Sequence, residues 1–305
     1  MSEIEHEDLL WLSESAGIPP VGRVARLSGG WDNPNYRLFL EDGSSVVLKI
    51  WEGQEDEEGV LQVIERQKLV QHNGIRTVVP LDFADGSPYL EREGVCWTLM
   101  PYIEGGHLGS DSASLKSLGK EMARMHQIPH AECFPSEYRM GGSLFDRIFD
   151  AEHDSEDGLR FISLLRGQSE GLLSEAPDDL PSGTLHGDLF PDNVLGDGRV
   201  AAILDFEEGF YGPCAFDLVM AFVGFGWEDG SPQMGRWESL RSGYESERKL
   251  TASEKSSLDW LHRYATLCIA AWRFWKHVIS EFDESLSTRY MEMVDRLEVE
   301  VRLDC

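Results

Sequence analysis

The spacing of hydrophobic residues changes near Gly106, and this change restricts the fold more than any other feature of the chain. Before it, short apolar runs are separated by Gly and Asp turns. In "NYRLFLEDGSSVVLKIWE", for example, the "EDGS" turn predicts a hairpin between two strands. After it, apolar residues recur at helical spacing, as in "SASLKSLGKEMARMHQI". A small part rich in strands is therefore expected to precede a larger, mainly helical part.

The first hundred residues predict about five strands. They also predict a short amphipathic helix at residues 5–16, closed by "GIPP", and a longer helix at residues 56–72. The segment "MPYIEGG" links the two parts. Beyond it, helices are expected in "SASLKSLGKEMARMHQI", "DGLRFISLLRGQSEGLLSEA", "AFDLVMAFVGFGW", "SEKSSLDWLHRYATLCIAAWRFWKHVISEF" and "STRYMEMVDRLEVEV".

This order of elements predicts an α+β, protein-kinase-like two-lobe fold. Its small N-terminal lobe holds an antiparallel sheet with one helix, and its larger C-terminal lobe is mainly helical. The expected domains are a nucleotide-binding lobe at 1–99, an interlobe hinge at 100–106, and a catalytic and substrate-binding lobe at 107–305.

The composition limits the partners of the chain. Its 305 residues carry a formal net charge of −28, which argues against binding to nucleic acid or to an anionic membrane surface. No basic leader and no run of 18 apolar residues is present, so a cytoplasmic protein without a membrane span is expected. The five scattered cysteines include no CxxC pair and predict free thiols rather than a zinc site. A monomer or homodimer is expected.

Chemistry is concentrated in "TLHGDLFPDNVLGDGRVAAILDFEEG", from Thr184 to Gly209. Phosphoryl transfer needs a positioned hydroxyl and a divalent cation that bridges the phosphates. Asp188 can accept the hydroxyl proton, and Asn193 can ligate Mg²⁺ from the far end of the same loop. Asp205 follows an apolar strand, so that its carboxylate can reach the metal. The alternative is an Asx-rich turn before a strand, but His186 and Gly187 precede Asp188 at compact spacing and favour the catalytic reading. His186 itself is expected to organise the loop rather than to act as a base.

The same residues carry a resemblance to a known family. "HGDLFPDNVL" with "ILDFEEG" is similar to the catalytic and metal motifs of the aminoglycoside phosphotransferase/choline kinase superfamily. "LSGGWDNPNYRL" and the helix "TLCIAAWRFWKH" are most similar to type II homoserine kinases. The resemblance implies ATP and Mg²⁺ as cofactors, Asp188 as catalytic base, and Asn193 and Asp205 as metal ligands. Asp217 matches the aspartate that steadies the catalytic loop, and equally suits a helix N-terminus.

The nucleotide is expected at the N-terminal lobe. Lys49 lies in the apolar strand "VVLKIW", where a kinase lysine contacts the α- and β-phosphates. Such a lysine requires an acidic partner from the following helix, for which Glu65 is favoured and Glu58 competes. The glycine loop with Gly29 and Gly30 is expected to cover the phosphates. Met100 and Tyr102, in the interlobe link, are expected to contact adenine.

The acceptor is expected to be a small molecule with a hydroxyl, and homoserine is favoured. Arg273 in "AAWRFWKH" would bind its carboxylate and Glu207 would face its ammonium. Choline, ethanolamine or an aminoglycoside would instead require carboxylates and aromatic faces. A catalytically inactive, kinase-like binding protein is the other alternative. A protein kinase is disfavoured, because "LDFEEGFYGPCAFDL" runs directly into a helix and leaves no room for an activation segment.

Overall fold

In the computed structural model of the chain, residues 4–27, 33–52, 56–153 and 155–303 are described. The chain divides into two compact units, Met1–Gly106 with Ala201–Leu204, and His107–Val200 with Asp205–Cys305. The assignment of nucleotide binding to the first unit and of catalysis to the second stays a prediction. None of the helices in the described ranges is both long and apolar enough to cross a membrane.

The first unit is built on an antiparallel sheet of five strands in the order β1-β2-β3-β5-β4. Residues 201–204 belong to it because the Ile203 N–H donates to the Arg76 carbonyl at 2.8 Å. Its elements are α1 (His6–Ala16), β1 (Val21–Arg26), β2 (Asn35–Leu40), β3 (Ser45–Trp51), α2 (Glu57–His72), β4 (Leu90–Arg92) and β5 (Val95–Pro101).

Both faces of this sheet are covered by a helix. On one face, Leu48 of β3 packs in the same cluster as Leu12 of α1. On the other face, Trp51 of β3 packs against Val63 of α2. Because successive side chains of a strand point to opposite faces, Lys49 shares the α2 face with Trp51.

The second unit is mainly helical, as the sequence predicts. Its helices are α3 (Ser112–Met125), α4 (Gly142–Asp150), α5 (Glu156–Ser174), α6 (Cys214–Phe225), α7 (Met234–Glu245), α8 (Ala252–Phe274) and α9 (Met291–Leu297). A π-helical turn, Trp275–Ser280, continues α8. Short antiparallel pairs join β6 (Ser182–Leu185) to β9 (Phe210–Pro213) and β10 (Trp227–Glu228) to β11 (Ser231–Pro232). The short strand β7 (Val194–Gly196) also lies in this unit, whereas β8 (Val200–Ile203) belongs to the first unit from residue 201 onward.

Helix α6 forms the centre of this unit. Every residue of α6 except Gly224 is buried, and a helix buried on all sides is expected to be apolar all round. Asp217 in its first turn is the exception, because it is a carboxylate with no exposed surface. A buried carboxylate requires hydrogen-bond donors, and those donors identify the candidate site.

Helices α3 and α7 cross closely because each carries a glycine at the crossing. A Cβ on Gly119 would lie 2.1 Å from the Leu240 carbonyl oxygen, and a Cβ on Gly243 would lie 2.1 Å from that of Lys116. Sequence analysis did not single out α7, nor the short α4. Glycine has a low helix propensity, so Gly243 also weakens the helical pattern of α7 in the sequence.

We expect the Gly243→Ala substitution to lower the free energy of unfolding by about 1–3 kcal/mol, because its methyl group would overlap the backbone of α3. Gly235→Ala is the matched control in the same helix, since a Cβ there meets no atom within 4 Å. The control should raise the stability by roughly 0.5–1 kcal/mol through the better helix propensity of alanine. Urea unfolding of both variants measures this, and equal effects of the two would contradict the close crossing.

Candidate active site

The loop that carries Asp188, residues 186–193 (the Asp188 loop), begins where β6 ends and closes in a short 3₁₀ turn, Pro191–Asn193. Two buried side chains hold its backbone. Asp217 accepts hydrogen bonds from the amides of His186 at 2.7 Å and Gly187 at 2.9 Å, and Tyr138 donates its hydroxyl proton to the Gly187 carbonyl at 2.9 Å. Sequence analysis did not identify Tyr138, because a lone tyrosine in "SEYRMGG" has no pattern that indicates a contact with the loop.

Gly187 is required at its position in this loop. Its φ of +84° lies in the region that favours glycine, and an added Cβ would lie 2.4 Å from the Glu208 carbonyl oxygen. The close approach brings the backbone of residue 208 against the Asp188 loop. The sequence "HGD" therefore reflects a steric constraint as well as chemistry.

His186 organises the loop. Its ring is buried, packs 4.7 Å from the Phe206 ring centroid, and accepts the Asp188 amide proton at Nδ1 over 3.2 Å. The lone pair of Nδ1 therefore already accepts a hydrogen bond from the backbone of Asp188. This geometry agrees with the expectation that His186 shapes the loop and is not the proton acceptor.

Asn193 is fixed against Asp188. Its Nδ2 donates to the backbone carbonyl of Asp188 and to the Asp188 Oδ2, both at 2.8 Å. A carbonyl oxygen can only accept, so the amide group must face Asp188 with its nitrogen. The Oδ1 atom of Asn193 is therefore directed elsewhere, as a metal ligand in this position requires.

The electrostatics around Asp188 disfavour a negative charge. Burial, followed by the charges of Asp192, Glu208 and Asp205, raises the pKa of Asp188 well above its usual range, and the hydrogen bond from Asn193 only partly opposes this rise. A cluster of carboxylates in a buried position is stabilised by a cation, because its mutual repulsion is then relieved.

Asp205 holds an unusual backbone conformation. It follows β8 after one residue and has a φ of +60°, which is uncommon outside glycine although aspartate tolerates it. Such conformations cluster at functional sites. Asp205 and Asn193 offer oxygen ligands, which suit Mg²⁺ or Ca²⁺. Within the described residues no group of three or more His, Cys, Asp or Glu side chains is arranged to hold a metal.

Glu207 and Glu208 differ in their surroundings. Glu208 forms an ion pair with Arg139, and its own side chain is only 10% exposed. Glu207, the acid that the sequence assigns to the substrate ammonium, is half-buried beside it. The charge of Glu208 is thus compensated within the chain.

The first unit places Lys49 on the α2 face of its sheet. The side chain is buried, with Nζ 4.3 Å from the centroid of the Trp51 ring. Glu58 and Glu65 are both exposed, on the face of α2 opposite the residues that pack on the sheet. The pairing of Lys49 with Glu65 or with Glu58 stays a prediction. Gln67, not Glu65, lies on the buried face of the helix.

The remaining nucleotide-site residues fall at the end of this unit and in its glycine loop. Met100 lies near the end of β5 and pairs with Val47 of β3, and Tyr102 is the residue after β5. The Arg37 guanidinium lies 3.6 Å from the centroid of the Tyr102 ring. Gly29 and Gly30 lie outside the described residues.

Arg273 lies at the end of α8, immediately before the π-helical turn. Its side chain is 8% exposed and pairs with Glu292 at 2.7 Å. All hydrogen bonds that Arg273 makes within the described part of the chain come from Nη1, which also donates to the Arg289 carbonyl at 3.3 Å. The sequence predicts that the Arg273 guanidinium binds a substrate carboxylate. In the structure, the carboxylate of Glu292 already contacts this guanidinium.

A unit built on an antiparallel sheet, followed by a helical unit that carries the Asp188 loop, is the arrangement of kinase-like phosphotransferases. A family model described as "Phosphotransferase enzyme family" matches residues 23–250, well over half of the chain. The chain belongs to this family. The prediction of a phosphotransferase acting on a hydroxyl acceptor is thereby confirmed.

Curated relatives cover most of the chain at low identity. It is 26% identical over 276 residues to a homoserine kinase of Rhizobium rhizogenes, covering 87% of this chain and 84% of that protein. It is 28% identical over 274 residues to a homoserine kinase of Sinorhizobium fredii, with coverage of 87% and 83%.

Solved structures confirm the kinase-like fold. An amicoumacin kinase in complex with AMP-PNP, Ca²⁺ and Ami is similar with a TM-score of 0.77 at 15% identity, over 99% of this chain and 95% of that one. A spectinomycin phosphotransferase in complex with ADP and spectinomycin gives 0.68 at 17%, over 98% and 95%. A microcompartment-associated aminopropanol kinase gives 0.66 at 16%, over 90% of each chain. At these identities the likeness concerns the fold alone.

We expect Asp188→Asn to raise the melting temperature by a few degrees at pH 7.5 without metal, because it removes a charge that the site disfavours. The pKa of Asp188 is raised in the folded state. At pH values between the ordinary aspartate pKa and this raised pKa, the folded protein therefore binds more protons than the unfolded protein. Stability is therefore lost as the pH rises through this window, and the advantage of the variant should narrow as the pH falls.

Thermal unfolding of both proteins in EDTA, from pH 5 to pH 8, measures this difference. Asp146→Asn, which changes an exposed aspartate of α4, is the matched control and should leave the melting temperature unchanged. A lower melting temperature of Asp188→Asn across the whole range would contradict the unfavourable charge at Asp188.

Proposed function

We propose that the chain transfers the γ-phosphoryl group of ATP to the hydroxyl of a small amino-acid-like alcohol, with homoserine as the favoured acceptor. The observation that carries the proposal is the environment of Asp188, a half-buried carboxylate that is fixed by Asn193, has further carboxylates nearby, and has a raised pKa. A carboxylate fixed in this way can accept the proton of an acceptor hydroxyl.

The roles of the other residues follow from phosphoryl transfer. Asp188 accepts the proton of the acceptor hydroxyl while Asn193 holds its carboxylate in place. Asn193 Oδ1 and the Asp205 carboxylate would hold Mg²⁺, which when bound neutralises charge on the β- and γ-phosphates. Lys49 contacts the α- and β-phosphates, and Met100 and Tyr102 lie at the adenine. The nucleotide complexes of the two structural relatives, with AMP-PNP and with ADP, are consistent with this use of the fold.

Two observations support an acceptor with a carboxylate and an ammonium. The relatives that align over most of the chain are named homoserine kinases. The Arg273 side chain is buried and uses only Nη1 for its internal hydrogen bonds. A guanidinium has five N–H donors, so the Nε and Nη2 groups remain to bind a carboxylate in a bidentate manner. Glu207 then faces the ammonium.

The ion pair between Arg273 and Glu292 also favours a second candidate. If Glu292 satisfies Arg273 fully, an acceptor needs no carboxylate, and an amino alcohol such as ethanolamine or choline would suit the acidic site. One structural relative is named an aminopropanol kinase. Aminoglycosides belong to the same alternative, and a binding protein without turnover is the remaining one.

A panel of acceptors tests the proposal. With Mg²⁺ and ATP, ADP release should be stimulated most by homoserine, compared with aminopropanol, ethanolamine, choline and an aminoglycoside. 2-Aminobutyrate, which lacks the hydroxyl, should give none, and neither should omission of the metal or the Asp188→Asn enzyme. Preferred turnover of an amino alcohol would establish the second candidate, and no turnover of any acceptor would contradict the enzyme.

We expect Arg273→Gln to raise the KM for homoserine about tenfold or more, since loss of a bidentate clamp costs on the order of 2–5 kcal/mol of binding. The KM for ATP should change less than about twofold, because ATP does not use this side chain. Arg263→Gln, on the same helix, is the matched control, since Arg263 donates to Gln168 and to the Leu297 carbonyl. An unchanged KM for homoserine in a folded Arg273→Gln enzyme would remove Arg273 from the acceptor site.

A further inference from the structure

The carboxylate that holds the Asp188 loop is itself held by a histidine. His126, the residue that ends α3, lies with its Nε2 atom 3.2 Å from Asp217 Oδ2, and both side chains are fully buried. The other nitrogen of the ring, Nδ1, lies 2.8 Å from the hydroxyl of Tyr244 in the last turn of α7. Helices α3, α6 and α7 thus meet in one chain of hydrogen bonds that ends at the loop.

The direction of these hydrogen bonds is determined by their outer ends. The Asp217 carboxylate already accepts from two loop amides, so His126 Nε2 donates to it. At the other end, Arg248 Nη1 donates to the Tyr244 oxygen at 3.1 Å. The Tyr244 hydroxyl keeps its own proton for His126 Nδ1, which must therefore accept.

The other neutral tautomer of His126 would break this chain. A proton on Nδ1 would point at the tyrosine oxygen that already accepts from Arg248, and it would leave the buried hydroxyl proton of Tyr244 without an acceptor. An unpaired buried hydroxyl is costly. Tyr244 thus selects the tautomer of His126 that donates to Asp217.

Arg248 is fixed in turn by the start of α8. It forms an ion pair at 2.9 Å with Glu254, whose side chain is fully buried. Glu254 also accepts from the backbone and hydroxyl of Thr251, at 2.8 and 3.1 Å, which closes the capping box of α8. Hydrogen bonds and this ion pair together connect the N-terminus of α8 to the Asp188 loop.

We propose that Tyr244 is a positioning residue for the catalytic loop, because its hydroxyl fixes His126 as the donor that orients Asp217 on the His186 and Gly187 amides. The role concerns the placement of Asp188 and rests on the proposed function only in taking Asp188 as the reacting base. Packing alone does not require the hydroxyl, since a phenylalanine ring would fill the same volume between α3 and α7.

The Tyr244→Phe substitution tests the proposal with the ring kept in place. We expect kcat to fall about tenfold, which corresponds to about 1.4 kcal/mol, while the KM values for ATP and for the acceptor change less than about twofold. Tyr211→Phe is the matched control, because Tyr211 lies in β9, next to the strand that leads into the loop, and its hydroxyl has no partner within the described residues. The control should keep the kcat of the original enzyme.

Two further measurements separate positioning from general stability. In the Asp217→Asn enzyme, Tyr244→Phe should have almost no additional effect on kcat, because both changes act through the same contact. Amide hydrogen exchange of the segment 184–190 should become faster in Tyr244→Phe, while exchange in α5 stays unchanged. The exchange measurement needs no acceptor, so it stands even if the panel of acceptors yields no turnover.

An unchanged kcat in Tyr244→Phe would overturn the proposal. Additive effects of Tyr244→Phe and Asp217→Asn on kcat would also overturn it, as would unchanged hydrogen exchange in residues 184–190. Faster exchange throughout the second unit, including α5, would likewise overturn it, since the hydroxyl would then serve overall stability and not the loop.

Discussion

The candidate site depends on one buried interaction, the contact of the Asp217 carboxylate with the amides of His186 and Gly187. A carboxylate without exposed surface is stable only if donors surround it, and Asp217 has three. Its place in the first turn of α6 adds the positive end of the helix dipole. Because α6 is otherwise apolar and buried, it cannot move without disturbing the whole second unit, and the Asp188 loop shares this rigidity.

The loop, by contrast, presents groups that are unfavourable in the isolated protein. Asp188 is half-buried near other carboxylates, and Asp205 holds a left-handed backbone conformation. Both features cost stability, and rigid support from α6 is what lets them persist. A ligand that brings positive charge would stabilise such a site, because it would relieve the repulsion between the carboxylates. The Oδ1 atom of Asn193, which is directed away from Asp188, could contact such a ligand.

Sequence analysis predicted the parts of the molecule that local patterns determine. The change from strand to helix near Gly106 predicted the class of fold. Asp188 and Asn193 lie on one loop, and Asp205 follows β8 after one residue, while their roles stay predictions. Which side chain of α2 faces Lys49 is not predictable from distance along the chain, because it depends on the rotation of α2 against the sheet.

The apolar pattern of α2 does predict which face of this helix is buried. Val60, Val63 and Ile64 mark the buried face, and a step of 100° per residue places Glu58 and Glu65 on the opposite side. Tyr244 offers no comparable signal, because its partners come from α3 and from the loop before α8. Its contacts depend on the close crossing of α3 and α7, which two glycines permit and which no sequence period reveals.

The charges around Arg273 bear directly on the acceptor. Glu292 contacts both Arg273 and Arg296, so one carboxylate is shared by two guanidinium groups. Burial alone would raise the pKa of Glu292, but the hydrogen bond and charge of Arg273, together with the charge of Arg296, lower it, which keeps it ionised. Arg289 adds a further positive charge near Arg273, and Asp188 adds a negative one. The proposed amino-acid alcohol would bring a carboxylate as an additional partner for these guanidinium groups, whereas an amino alcohol would not.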